Sequence, residues 1–127
     1  MRDQHYYIKN IEGVLCYMDT ELCEFCIKDR ELVHFKDLNC GRQYPWELAN
    51  FGPSYRNFND FFNRRVVKDG AQDIRKYLSD MGLEHYDFEE LIKRTNGANH
   101  GPFWIKFKNI GAKSWDELQH TKFPIYR

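Results

Sequence analysis

Between residues 57 and 97, apolar side chains recur at intervals of three and four, and polar or glycine residues punctuate each run. Phe58, Phe61, Phe62 and Val66, with Arg65 beside them, make one helical stripe, and Ile74, Tyr77, Leu78 and Met81 make a second. Asp69 stands before the second run as a predicted N-cap, and Gly82 follows it where a left-handed residue closes a helix. Asp87, followed three residues later by Glu90, reads as a capping box for a third helix. Tyr86 and Leu91 are placed for a hydrophobic staple, and Gly97 marks its end. The spacing predicts helices near residues 57–67, 71–81 and 88–96.

The first forty residues follow a period of two instead. Short runs at 6–8, 14–18 and 22–27 read as strands, with a turn at Gly13 and a hairpin connection through Asp19, Thr20 and Glu21. Cys23, Phe25 and Ile27 alternate with Glu24 and Lys28, so one face is expected in the core and the other in water. Residues 29–56 hold Gly41, Pro45, Gly52 and Pro53 and read as the most irregular stretch, with a turn at Pro45–Trp46 and one further strand candidate around Leu32, Val33 and Phe35. Late in the chain, Phe103, Ile105 and Phe107 alternate with Trp104, Lys106 and Lys108, a strand with an apolar and a basic face. Ser114 with Glu117 opens a short helix over 115–120.

Together these elements predict a single α+β domain spanning residues 1–127. In it a small antiparallel sheet from 6–8, 14–18, 22–27 and 103–107 packs against three helices. The expected core is Phe25, Ile27, Phe61, Phe62, Ile74, Leu78, Leu91, Ile92, Ile105 and Phe107. A chain of 127 residues suffices for one such core.

Charge narrows the function classes. Nineteen basic and nineteen acidic side chains cancel, which argues against direct nucleic-acid binding and against an acidic DNA mimic. The balance is uneven along the chain: residues 1–63 carry 7 basic and 10 acidic groups, and residues 64–127 carry 12 and 9. The opening residues lack the apolar stretch of a signal peptide, and no apolar run approaches the roughly 18 residues of a membrane span. A soluble cytoplasmic protein with reduced cysteines is the expectation.

Candidate chemistry is sparse. Cys23 and Cys26 form a CxxC, with Cys16, His34 and Cys40 nearby in sequence, but the pair sits in a strand pattern that sends the two thiols to opposite faces. No second CxxC or HxxxH completes a tetrahedral zinc site. The five histidines are scattered, and no nucleophile, phosphate-loop or dinucleotide motif occurs, so no catalytic residue, metal or cofactor is assigned. Two groups suit partner binding. Tyr44, Trp46 and Tyr55 have the composition of interface anchors, and Arg64, Arg65 and Lys68 form a basic cluster beside Arg75 and Lys76 of the next helix. The same rings and cations also suit core packing and solvated helix faces.

The segment holding Phe58, Phe61, Phe62, Asn63, Asp87, Phe88, Leu91 and Gly97, preceded by a hairpin, resembles the small N-terminal subdomain of HipA-like toxin kinases. There a Phe-rich helix leads through a second helix into a DF-x-x-L helix that ends in Gly. The kinase body's phosphate-binding loop and its catalytic and metal-binding acids do not follow, so no catalytic residue carries over. The resemblance implies a freestanding protein-binding regulator, similar to the small third component of HipBST-type systems that restrains a separate kinase. Size and self-containment also fit a phage or mobile-element inhibitor of a defence nuclease, of which anti-CRISPR proteins that bind Cas proteins are one group. The contrasting class is a zinc-stabilised or nucleic-acid-contacting module.

Overall fold

Period-two patterning near the N-terminus yields three consecutive antiparallel strands, β1 (Ile11–Tyr17), β2 (Thr20–Lys28) and β3 (Glu31–Asp37). β4 (Phe103–Lys106) returns to pair with β1, giving the order β3-β2-β1-β4. Five helices complete the α+β fold: α1 (Trp46–Ala49), α2 (Tyr55–Arg65), α3 (Ile74–Asp80), α4 (Phe88–Thr95) and α5 (Trp115–Gln119). The computed structural model describes residues 5–38, 44–98 and 101–120.

α2 carries the centre of the core. Its N-cap Ser54 accepts a hydrogen bond from Asn57 N, and the stripe of Phe58, Phe61 and Phe62 is fully buried. Phe58 stacks on Phe25 of β2 at 4.5 Å, and Phe61 meets Phe62 edge to face at 5.0 Å. Each such ring contributes about 2–3 kcal/mol through burial. Leu91 and Ile92 of α4, Leu78 of α3, and Ile27, Ile105 and Phe107 join the same cluster, while Ile74 is only half-buried at its margin. The capping boxes predicted at Asp87 and Ser114 form: Asp87 accepts from Glu90 N and Ser114 from Glu117 N.

The sheet departs from the sequence reading in three places. Residues 6–8 are not a strand; β3 supplies the fourth strand from a stretch read mostly as connection. Gly13 is not a turn but lies inside β1, where a Cβ would stand 2.7 Å from Ile105 Cγ2, so the close crossing of β4 requires glycine. Trp104 does not face water, because α5 covers that side: Trp104, Cys16, Ala98 and Leu118 form a second small core, and Trp104 Nε1 donates to Met18 O at 2.8 Å.

α3 is also shorter than its periodicity predicts. Asp69 does not cap it, since Asp69 N donates to the Tyr6 hydroxyl, and the helix begins only after Asp73, which is left-handed at φ 60°. Its C-terminus is closed by Gly82 at φ +80° and by Arg94 of α4, which donates to Met81 O at 2.6 Å.

Residues 6–8 instead form an extended strap laid along α2. Asn59 and Asn63 are one helical turn apart, so their amides project side by side. Asn63 Oδ1 accepts from Tyr6 N at 2.9 Å and Asn59 Oδ1 accepts from Ile8 N at 3.0 Å. Both amide nitrogens donate to Tyr6 O at 2.8 Å, and the Tyr55 hydroxyl donates to Ile8 O at 2.8 Å. The strap is thus paired by side chains as a strand is paired by a neighbour.

Asn59→Ala strips Ile8 N of its partner in a buried setting and is expected to cost about 3 kcal/mol. Exposed Arg56→Ala one turn earlier should cost less than about 0.5 kcal/mol. Urea unfolding of the two variants checks this, and equal costs would show that the amide pairing carries no stability.

Candidate protein-binding surface

α1 is a single turn begun by Pro45, which sits at N-cap with the extended φ and ψ that proline favours. Leu48 points into the core, which turns Glu47 inward against the last turn of α2 and leaves Trp46 outside. Glu47 is a carboxylate only 5% exposed. Its Oε2 accepts from Arg65 at 3.2 Å and lies 3.5 Å from Arg64 Nε, whereas its buried Oε1 has no hydrogen-bond partner. An isolated buried carboxylate is costly, and these two guanidiniums are what make the position tenable.

The two arginines differ in what else they touch. Arg65, with a side chain 23% exposed, donates to Phe61 O at 3.1 Å and lies over the Phe61 ring at 4.0 Å and the Phe103 ring at 5.8 Å. Arg64, 60% exposed, lies over the Trp46 ring at 5.2 Å. Trp46, 54% exposed, meets Phe51, 65% exposed, edge to face at 5.2 Å. A cation over one of two paired, solvent-facing aromatic rings is the composition of an interface anchor.

The six residues singled out in the sequence therefore divide. Trp46, Arg64 and Arg65 meet at the α1–α2 corner, with Arg65 turned inward. Tyr44 braces the sheet, its hydroxyl 2.9 Å from Leu22 O and 2.5 Å from Asp37 Oδ1, and burial pushes that phenol above its ordinary pKa. Tyr55 holds the strap, and its phenol is raised by burial as well. Lys68 donates to Asn63 Oδ1 at 2.8 Å and lies 5.2 Å over the Tyr6 ring. Glu47 and Phe51 belong to the corner and were not singled out; the spacing of Glu47 to Arg64 crosses a loop, so no local pattern joins them.

Elsewhere the chemistry is muted. A cleft of about 560 Å³ opens on the outer sheet face between Glu12, Glu24, His34, Lys106, Lys108 and Lys113. Its charges are largely used internally: His34 lies 3.5 Å from Glu24, Lys106 pairs with Glu21, and Lys113 donates to Phe107 O and Ile110 O. Among the described residues no three His, Cys, Asp or Glu side chains converge on a metal-sized site, and Cys40 and His100 lie outside those residues. Cys23 joins the main core while Cys16 joins the second one, and burial pushes both thiols up to about 12. Among the described residues, too, no helix is long and apolar enough to cross a membrane.

Arg65→Ala should destabilise by about 2–3 kcal/mol, because it removes the inward partner of Glu47 and uncovers Phe61, whereas Arg64→Ala should cost less than about 1 kcal/mol. Equal losses in thermal unfolding would contradict the division of labour. The thiols give a second expectation. The unfolded chain releases their protons near pH 9 while the folded chain retains them to about 12, so the stability they contribute is complete below about 9 and falls as pH rises through that window. Urea midpoints measured from about pH 8 to about pH 11 should decline, and a flat profile would show that the thiols are not held in the core. No protein-family model, curated protein or solved structure matches this chain, and the reading of the corner rests on its own geometry.

Proposed function

We propose that this chain is a non-enzymatic protein-binding regulator or inhibitor that docks through Trp46, Phe51 and Arg64. The observation that carries the reading is the solvent-facing Trp46–Phe51 pair with Arg64 over the Trp46 ring, apolar area that the fold does not bury. Large aromatic and Arg side chains dominate binding energy in protein interfaces, and here Leu48 and Glu47 hold them on a fixed turn, which lowers the ordering cost of association. The partner suggested by the resemblance is a separate HipA-like kinase. Phe58, Phe61, Phe62, Leu91 and Phe88 are all core residues in this fold, so the residues behind the likeness supply scaffold and leave the α1–α2 corner for docking.

Purified HipA-like kinase and a Cas nuclease–guide complex are offered in turn to the wild-type chain and to Trp46→Ala. The expected result is a stoichiometric complex with the kinase and reduced kinase activity, with affinity at least about thirtyfold weaker for Trp46→Ala. Thermal unfolding should be little changed in that variant, because more than half of Trp46 is exposed and its ring pairs with the likewise exposed Phe51. Binding of the nuclease complex instead would move the target to a defence system, and a Trp46→Ala chain that binds as well as wild type would remove the corner from the interface.

A further inference from the structure

The α1–α2 corner is not electrically neutral. Two guanidiniums face one carboxylate, Arg65 at 3.2 Å and Arg64 at 3.5 Å from the same Glu47 oxygen, so one positive charge is left over. Arg65 is occupied further by Phe61 O and by two aromatic rings, which places the surplus on Arg64. Arg64 meets Glu47 through Nε; among the described residues its two terminal amino groups have no hydrogen-bond partner, and the guanidinium carbon lies 5.2 Å over the Trp46 ring. An open planar fork of this kind matches a carboxylate with two parallel hydrogen bonds.

Resting on the docking reading above, we infer that the partner presents an Asp or Glu side chain flanked by an apolar residue. The carboxylate pairs with the Arg64 fork, and the apolar side chain packs on Trp46 and Phe51. A protein segment carries both complements at neighbouring positions. Nucleic acid does not fit as well. The cations that follow Arg64 in the chain are already engaged, Arg65 with Glu47 and Lys68 with Asn63, so they offer no row of phosphate contacts beside it.

The test uses the whole chain and a phage-displayed library of random dodecapeptides. Expected are peptides with Asp or Glu next to Phe, Leu or Trp, which lose about tenfold or more in affinity against Arg64→Ala. Arg64→Lys keeps the charge without the fork and should recover only part of that loss. Panning on Arg64→Glu should enrich Lys or Arg at the acidic position. Thermal unfolding of Arg64→Gln and Arg64→Ala that remains cooperative and falls by no more than the small loss expected above separates lost recognition from lost fold, since Arg65 continues to hold Glu47. Peptides that need Trp46 but are indifferent to Arg64→Ala overturn the acidic epitope and leave the docking reading standing. A library with no Trp46-dependent binder overturns both. Salt-sensitive binding of a fluorescent single-stranded DNA that is lost in Arg64→Ala would make the ligand a nucleic acid and overturn the inference.

Discussion

Two buried asparagine amides on one face of α2 hold the N-terminal strap, and much of the molecule is arranged around that pairing. An extended backbone segment buried beside a helix has no ladder to join, and each unpaired N–H or C=O would cost on the order of 1–3 kcal/mol. Asn59 and Asn63 supply acceptor and donor at the right interval, and Ile8 can then be fully buried. Once fixed, the strap organises its surroundings. The Tyr6 ring stacks with Phe88 at 5.2 Å and lies 5.0 Å from Tyr86, its hydroxyl receives Asp69 N, and Lys9 O receives Arg30 N at the β2–β3 turn.

A third asparagine does similar work at the far edge of the sheet. Asn96 ends α4 in a left-handed conformation, its carbonyl accepts from Ile105 N at 2.6 Å, and its amide donates to Ile105 O at 2.9 Å. The outer edge of β4 is thereby paired at its most buried residue. β3, at the opposite edge, is protected differently: an irregular register at Val33 interrupts it, and Glu31, Lys36 and Asp37 place charges along it. Such edges resist strand addition. With both edges disfavoured for pairing, the proposed docking falls on the corner of α1 and α2, where two of the most exposed large apolar side chains among the described residues, Trp46 and Phe51, lie together.

Helices and caps were legible because their signals are local. Asp87 and Glu90, Ser114 and Glu117, and the stripe of Phe58, Phe61 and Phe62 each lie within a turn or two. What escaped depends on distant partners. The β2–β3 hairpin turns through Asp29 and Arg30, both at positive φ without glycine, and is steadied by Asn10 Oδ1 accepting from Asp29 N and Lys9 O accepting from Arg30 N. Nothing within residues 28–31 announces that. Residues 6–8 look like a strand because they are extended and apolar, but extension does not reveal whether a backbone or a side chain does the pairing. Trp104 reads as solvent-facing until α5 is placed over it. Of the candidate anchors, Tyr44, Tyr55 and Lys68 had the right chemistry, and only the fold shows their polar ends engaged inside the molecule.

The corner also shows why a buried carboxylate can be retained where an apolar residue would pack at less cost. Replacing Glu47 with a hydrophobe would remove the desolvation penalty and the unpartnered oxygen, a change that often leaves stability equal or higher. It would also free both arginines. Arg65 would keep Phe61 O and its ring contacts, but Arg64 would retain only the Trp46 face, and its fork would sample many orientations. Glu47 thus trades local stability for a narrower range of directions of a surface cation, and for the docking proposed above such ordering would be worth roughly 0.5–1.5 kcal/mol. The unpartnered Oε1 belongs to the same trade. Its unfavourable burial is present in the free chain and is part of what it costs to hold one carboxylate between two guanidiniums.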